Sequence, residues 1–209
     1  MSIIEKLQWR YATKKFDVSR KLSYEKLSVL KEAFNLTALS YGLQTLKLII
    51  VEDKEKRESL VSCSYGQRQV ADASHLLVIC IQNEIDDKDV NDHFDTIKSI
   101  RNTPEAVLKP FREGLLSTID NMPLKKKSDW ATKQAYIALG NLMTVCAIEE
   151  IDSCPMEGFI PTELDKALGL DKHDLSSVLM LPVGYRAQND EFAGFKKVRK
   201  PLTETILEL

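Results

Sequence analysis

The stretch Trp9-Arg10-Tyr11-Ala12-Thr13-Lys14-Lys15-Phe16-Asp17 sets the cations Arg10, Lys14 and Lys15 among Trp9, Tyr11 and Phe16. It is too mixed for a core element and too basic for a packed loop that has no partner. A run of this kind is ordinarily a solvated face. The alternative is a seat for something anionic, and the rest of the chain has to decide between the two.

The 209 residues suit one domain over 1–209 with a core of ordinary size. Net charge is −2 and the pI is near 6.0, which speaks against a nucleic-acid binder and makes any basic site local. Cys63, Cys80, Cys146 and Cys154 form no CxxC, and with three histidines no zinc constellation is credible. Metal ligation is therefore not expected. The opening residues lack the apolar region of a signal peptide, and no apolar run nears the ~20 residues of a membrane span. These features lead us to expect a reduced, cytoplasmic protein without disulfides and without a membrane partner.

Outward from the basic stretch, residues 2–9 read as a short amphipathic helix with Ile3, Ile4 and Leu7 on one face. Ser23 is an N-cap candidate for a helix to about Asn35, with Lys26 where a capping box would place a carboxylate. Residues 37–45 read as a polar loop, 46–52 as a strand and 54–62 as a helix. Residues 65–74 read as a polar connection. The run His75–Ile81 is continuously apolar and predicts a strand buried on both faces. His75 at its start reads as a satisfied structural histidine.

Residues 83–127 are charged and proline-containing. They predict helices near 88–101 and 104–120 in an excursion over the core, a lid or dimer cap, with Lys125-Lys126-Lys127 as a solvated turn. The helix at about 129–150 is apolar nearly all round, as a core helix that doubles as a dimer interface would be. Ser153-Cys154-Pro155-Met156-Glu157-Gly158-Phe159 reads as a short motif between two helices. A helix from Pro161 ends at Leu168 with Gly169 as its left-handed cap, and 175–185 is a third buried strand. Phe195–Pro201 is a second basic cluster, followed by a short apolar tail.

No GxGxxG, no GxxxxGK[ST] and no GxSxG occurs. What remains is two basic clusters far apart in sequence. If they converge, they make a mononucleotide phosphate site by charge-assisted hydrogen bonds. The Pro155–Gly158 turn offers an apolar platform and backbone N–H groups, which are what a flavin ring needs.

The segment Arg10–Asp17 resembles the opening of the FMN-dependent nitroreductase family. It is followed in family order by Gln44 ahead of a strand, Asp72-Ala73-Ser74-His75, Pro155-Met156-Glu157-Gly158-Phe159, Leu181-Pro182-Val183-Gly184-Tyr185 and Lys197-Val198-Arg199. The branch it is most similar to holds oxygen-insensitive nitroreductases and dihydropteridine reductases. The resemblance implies an α+β fold with a central, mostly antiparallel sheet wrapped by helices. It also implies an intertwined homodimer with tightly bound, non-covalent FMN at the interface, NADH or NADPH as co-substrate, and small-molecule oxidants (nitroaromatics, quinones or pteridines) as acceptors.

On the matching positions, the resemblance assigns phosphate and ribityl contacts to Arg10, Lys197 and Arg199, and the ring's N1/O2 edge to Lys14. It gives Gln69 the pyrimidine edge and packs Pro155 on the ring, beside Met156. The N–H groups of Glu157 and Gly158 face N5 and O4. Glu157, through its backbone, and Lys14 are the candidates nearest the chemistry. Ala38, Leu39, Ser40 and Gly42 would serve the partner subunit's site. Tyr11 and Ala12 replace the family's common His/Ser pair, Gly42 stands where an Asn is usual, and Gly66 where a pyrimidine-edge Asn is often found. These departures motivate one alternative reading, a non-catalytic flavin-binding or flavin-storage relative.

Overall fold

Strand β2 (His75–Gln82) has every residue buried but the last. Side chains alternate across a strand, so burial throughout needs cover on both faces. Both covers are present. Leu77, Ile79 and Ile81 join one apolar cluster, and Leu76, Val78 and Cys80 join another. In the computed structural model, which describes residues 2–209, β2 pairs on one side with β1 (Leu46–Val51) and on the other with β4 (Leu175–Gly184). A two-residue strand β3 (Asp152–Ser153) pairs with the end of β4, giving the order β1-β2-β4-β3 with every pairing antiparallel.

The first cluster is closed by α7 (Leu124–Ile148). Its buried stripe runs through Ala131, Ala135, Ala138, Leu139, Leu142 and Cys146, and small residues there let the helix lie close to the sheet. Fully burying one Leu such as Leu142 stabilises by about 2 kcal/mol. Helices α1 (Ile3–Trp9) and α2 (Tyr24–Asn35) pack against α7. The second cluster is closed by α3 (Lys54–Ser59), the single turn α4 (Gln69–Asp72) and α8 (Pro161–Leu168), which ends on Gly169 at φ 66. The excursion is the hairpin of α5 (Asp87–Arg101) and α6 (Glu105–Asp120). A last turn, α9 (Leu202–Thr205), lies in the exposed C-terminal tail. Among the described residues no helix is long and apolar enough to cross a membrane.

Four local expectations are corrected. Lys125-Lys126-Lys127 lies in the first turn of α7, because Pro123 occupies the N-cap; Lys125 and Lys126 are exposed, while the Lys127 ammonium donates to the Ile85 carbonyl at 2.7 Å. The segment before Pro155 is strand, held by the end of β4. The polar connection 65–74 contains α4, and the helix after β1 stops at Ser59 before a separate turn at Ser62–Ser64. Ser23 caps α2 without a capping box, as expected; a capping box is present at Ser2, where the Ser2 hydroxyl accepts from the Glu5 N–H and Glu5 accepts from the Ser2 N–H. His75 is a satisfied core histidine as expected. Its Nδ1 is 2.9 Å from the Ser74 hydroxyl, and burial lowers its pKa.

Candidate functional site

The basic stretch is not a solvated turn. Ala12 forms a parallel bridge with Ser153, and the Thr13 N–H donates to the Ser153 carbonyl at 3.2 Å. Phe16 bridges Arg186, and the Asp17 N–H donates to the Tyr185 carbonyl at 2.8 Å. The segment is thus laced along β3 and the exit of β4. Thr13 and Phe16 turn into the core while Lys14 and Lys15 stay exposed. Phe16 seats where Gly184 permits it: a Cβ on Gly184 would stand 2.9 Å from the Ser74 backbone nitrogen and 3.2 Å from the Phe16 ring.

This lacing brings the two basic clusters together. Arg10, Lys14, Lys196, Lys197 and Arg199 line one cavity of about 390 Å³, with Trp9, Tyr11, Ala12, Phe192 and Phe195 among its other walls. No acidic side chain lines it. None of the five cations has a carboxylate within ion-pair distance among the described residues. The Lys197 ammonium donates to the Arg10 carbonyl. Burial, then the charges of Arg10 and Arg199, lower its pKa. A cavity of crowded, unpaired cations is stabilised by an anion, and more by a dianion.

The loop around the cavity is held by two buried aspartates. Asp190 accepts from the Tyr11 hydroxyl at 2.8 Å and from the Lys14 and Lys15 N–H groups at 2.9 and 3.0 Å. Asp152 accepts from the Arg186 N–H at 2.8 Å and from its Nε at 2.7 Å. The Arg186 guanidinium lies 4.2 Å from the Trp9 ring centre and 4.6 Å from that of Tyr11, in cation–π range of both. Burial and the bond to Asp190 push the Tyr11 hydroxyl pKa well above its ordinary value.

The Pro155 turn is fixed to β4 through its neighbours. The Cys154 N–H donates to the Pro182 carbonyl at 3.1 Å, and Met156 and Met180 exchange bonds of 2.9 and 3.0 Å. Between Met156 and Phe159, the N–H groups of Glu157 and Gly158 have no acceptor among the described residues. Unused backbone donors are rare enough to point to a ligand or solvent as their acceptor. Pro155 is half-buried and Met156 buried. None of Pro155, Met156, Glu157 and Gly158 lines the cavity; the turn adjoins it through Ser153, which bridges Ala12 of the cavity wall and accepts from the Thr13 N–H. The Glu157 carboxylate is exposed and accepts from the Tyr136 hydroxyl at 2.8 Å.

The remaining candidates lie elsewhere. Gln69 is buried in α4 and does not line the cavity, whereas Gln67 reaches the turn and donates to the Gly158 carbonyl at 2.8 Å. Ala38, Leu39, Ser40 and Gly42 do not line it either. Their loop rests on α7, where the Ser40 N–H donates to the Gln134 side chain at 2.8 Å, and on α5, where Gly42 at φ 73 abuts the His93 ring. Reading the sequence missed Asp190, Arg186, Gln67 and Tyr136. Each is an isolated polar residue whose partner lies far away in the chain, so no local spacing signals it.

The model of the nitroreductase family matches residues 7–185. A Staphylococcus epidermidis protein named as an NAD(P)H nitroreductase is 33% identical over 204 residues, covering 90% of this chain and 89% of that one. The oxygen-insensitive NAD(P)H nitroreductase of Salmonella typhimurium is 30% identical over 218 residues, covering 100% of both chains. A solved structure described as a nitroreductase in complex with FMN, from Exiguobacterium sibiricum, superposes with a TM-score of 0.85 at 19% identity, covering 100% of this chain and 98% of that one. The chain belongs to the nitroreductase family and has its α+β fold.

Proposed function

We propose that the protein is an NAD(P)H-dependent FMN oxidoreductase that works as an intertwined homodimer. The observation that carries the reading is the cavity lined by Arg10, Lys14, Lys196, Lys197 and Arg199 with no acidic side chain, beside a turn with two unclaimed N–H groups. The charge of the cavity matches a phosphate monoester, and the turn matches the hydrogen-bond acceptors of a flavin ring.

In this reading Arg10, Lys197 and Arg199 hold the phosphate and ribityl oxygens, and Lys14, set toward the turn, places its charge at the pyrimidine edge. Pro155 supplies the apolar platform, and the Glu157 and Gly158 N–H groups donate to the ring. FMN, when bound, supplies the chemistry, accepting a hydride from NADH or NADPH and delivering it in a second half-reaction to a nitroaromatic, quinone or pteridine. The Glu157 side chain is already engaged by Tyr136, so its contribution is its backbone. The dimer is supported by the exposed Tyr136, Ile137 and Ile148 on α7 and by the exposed Leu202, Ile206, Leu207 and Leu209 of the tail. It is supported also by loop 38–42, which stands away from the cavity of its own chain.

The test is spectroscopic. The purified protein is expected to carry, or take up, FMN with a flavin absorption band that NADH or NADPH bleaches under anaerobic conditions. A protein that stays colourless after incubation with FMN overturns the reading. A yellow protein that neither nucleotide bleaches reduces it to binding without turnover.

A further inference from the structure

Asp190 holds the backbone of the basic stretch, yet it pairs with none of the cavity's cations. The residue is 4% exposed. One carboxylate oxygen accepts from the Tyr11 hydroxyl and from the Lys14 and Lys15 N–H groups, and the other accepts from the Phe192 N–H at 3.2 Å. Four neutral donors thus converge on the carboxylate, three of them on one oxygen. The carboxylate is held by backbone amides and one phenol, and no ammonium or guanidinium lies within ion-pair distance of it among the described residues.

We propose that Asp190 is a positioning residue of the anion site, an inference that rests on the FMN reading above. By gathering donors from 11–15 and from Phe192, it ties the basic stretch to the segment leading to Lys197 and Arg199. Cations borne by two distant segments then face a single phosphate together. Burial alone raises the pKa of such a group. The bonds from the Lys15 and Lys14 amides, the Tyr11 hydroxyl and the Phe192 amide outweigh burial and hold it below its ordinary value, as a carboxylate that must stay charged to do this work requires.

The readout is the ratio of affinities for FMN and riboflavin, which differ only in the phosphate, measured by flavin fluorescence quenching on the full-length apoprotein. Asp190→Asn keeps the shape but sets an NH₂ against at least one N–H donor. It is expected to weaken FMN about tenfold, or about 1.4 kcal/mol, while riboflavin affinity stays unchanged. Equal losses for both ligands, or no loss for FMN, overturn the proposal and leave the FMN reading intact. A wild-type protein that binds no FMN overturns both. If near-UV circular dichroism shows that Asp190→Asn does not fold, Tyr11→Phe decides, since it removes one donor and keeps the ring over Arg186. The FMN-to-riboflavin ratio is then expected to fall about threefold, a fraction of one hydrogen bond to a charged group because the lost bond acts on the ligand only through the backbone, and an unchanged ratio overturns the proposal.

Discussion

The cavity end and the α5–α6 hairpin are both rich in lysine and arginine, and the two regions use that charge in opposite ways. On the hairpin Lys88 lies 2.5 Å from Asp92, Lys98 3.3 Å from Glu105 and Lys109 3.8 Å from Glu113. Arg112 reaches Asp95 at 3.0 Å and Glu105 at 3.3 Å. Of the hairpin's cations, only Arg101 has no carboxylate among the described residues. At the cavity no cation has one, and the buried Asp190 is engaged by neutral donors instead. Basic residues with carboxylates at i±4 or across a hairpin make a solvated, mildly stabilising surface. Basic residues without carboxylates, gathered around one cavity, are an arrangement that an anion would stabilise.

Removing the unpaired charge gives the largest expected effect. Arg10→Ala together with Arg199→Ala is expected to weaken FMN about a hundredfold, as two charge-assisted contacts to a phosphate are lost. The control, Lys88→Ala together with Lys98→Ala, leaves it unchanged. Fluorescence titration reads both, and a comparable loss in the hairpin variant breaks the comparison.

The second expectation concerns pH. Asp190 has a folded pKa below its ordinary value of 3.8, so its contribution to stability is full above that value and is lost as the pH falls through the folded value. Urea unfolding of wild type and Asp190→Asn apoprotein is expected to show a stability gap that is constant above about pH 5 and closes in acid. A gap independent of pH there denies the carboxylate its charged role.

The smallest effect belongs to the paired charges. Arg112→Ala is expected to cost about 1 kcal/mol of stability in the same unfolding assay, with FMN affinity unchanged. A change in affinity instead couples the hairpin to the anion site.

The sequence carried the frame and the charges of the site more clearly than their support. The continuous apolar run of β2 is visible because burial on both faces leaves no polar residue to interrupt it. The two basic clusters are visible as runs, and the Pro155 turn by its composition. Lys125–Lys127 misled because three lysines look alike in a turn and in the first turn of a helix, and only Pro123 marks the difference. Asp190, Arg186 and Gln67 carry no such mark. Each acts through a partner on another segment, which no periodicity reports.

The bond between Tyr11 and Asp190 spans 179 positions of the chain. Contacts of such separation carry a high loop-closure cost, and sheets built from distant strands form slowly. The cavity therefore does not exist in any partly folded chain that has its sheet but not its C-terminal segment docked. During synthesis the first-made residues of the site wait, with their cations exposed, for nearly the whole chain to follow. An anion that bridged the two segments would act on that last closing step of folding, by holding them together.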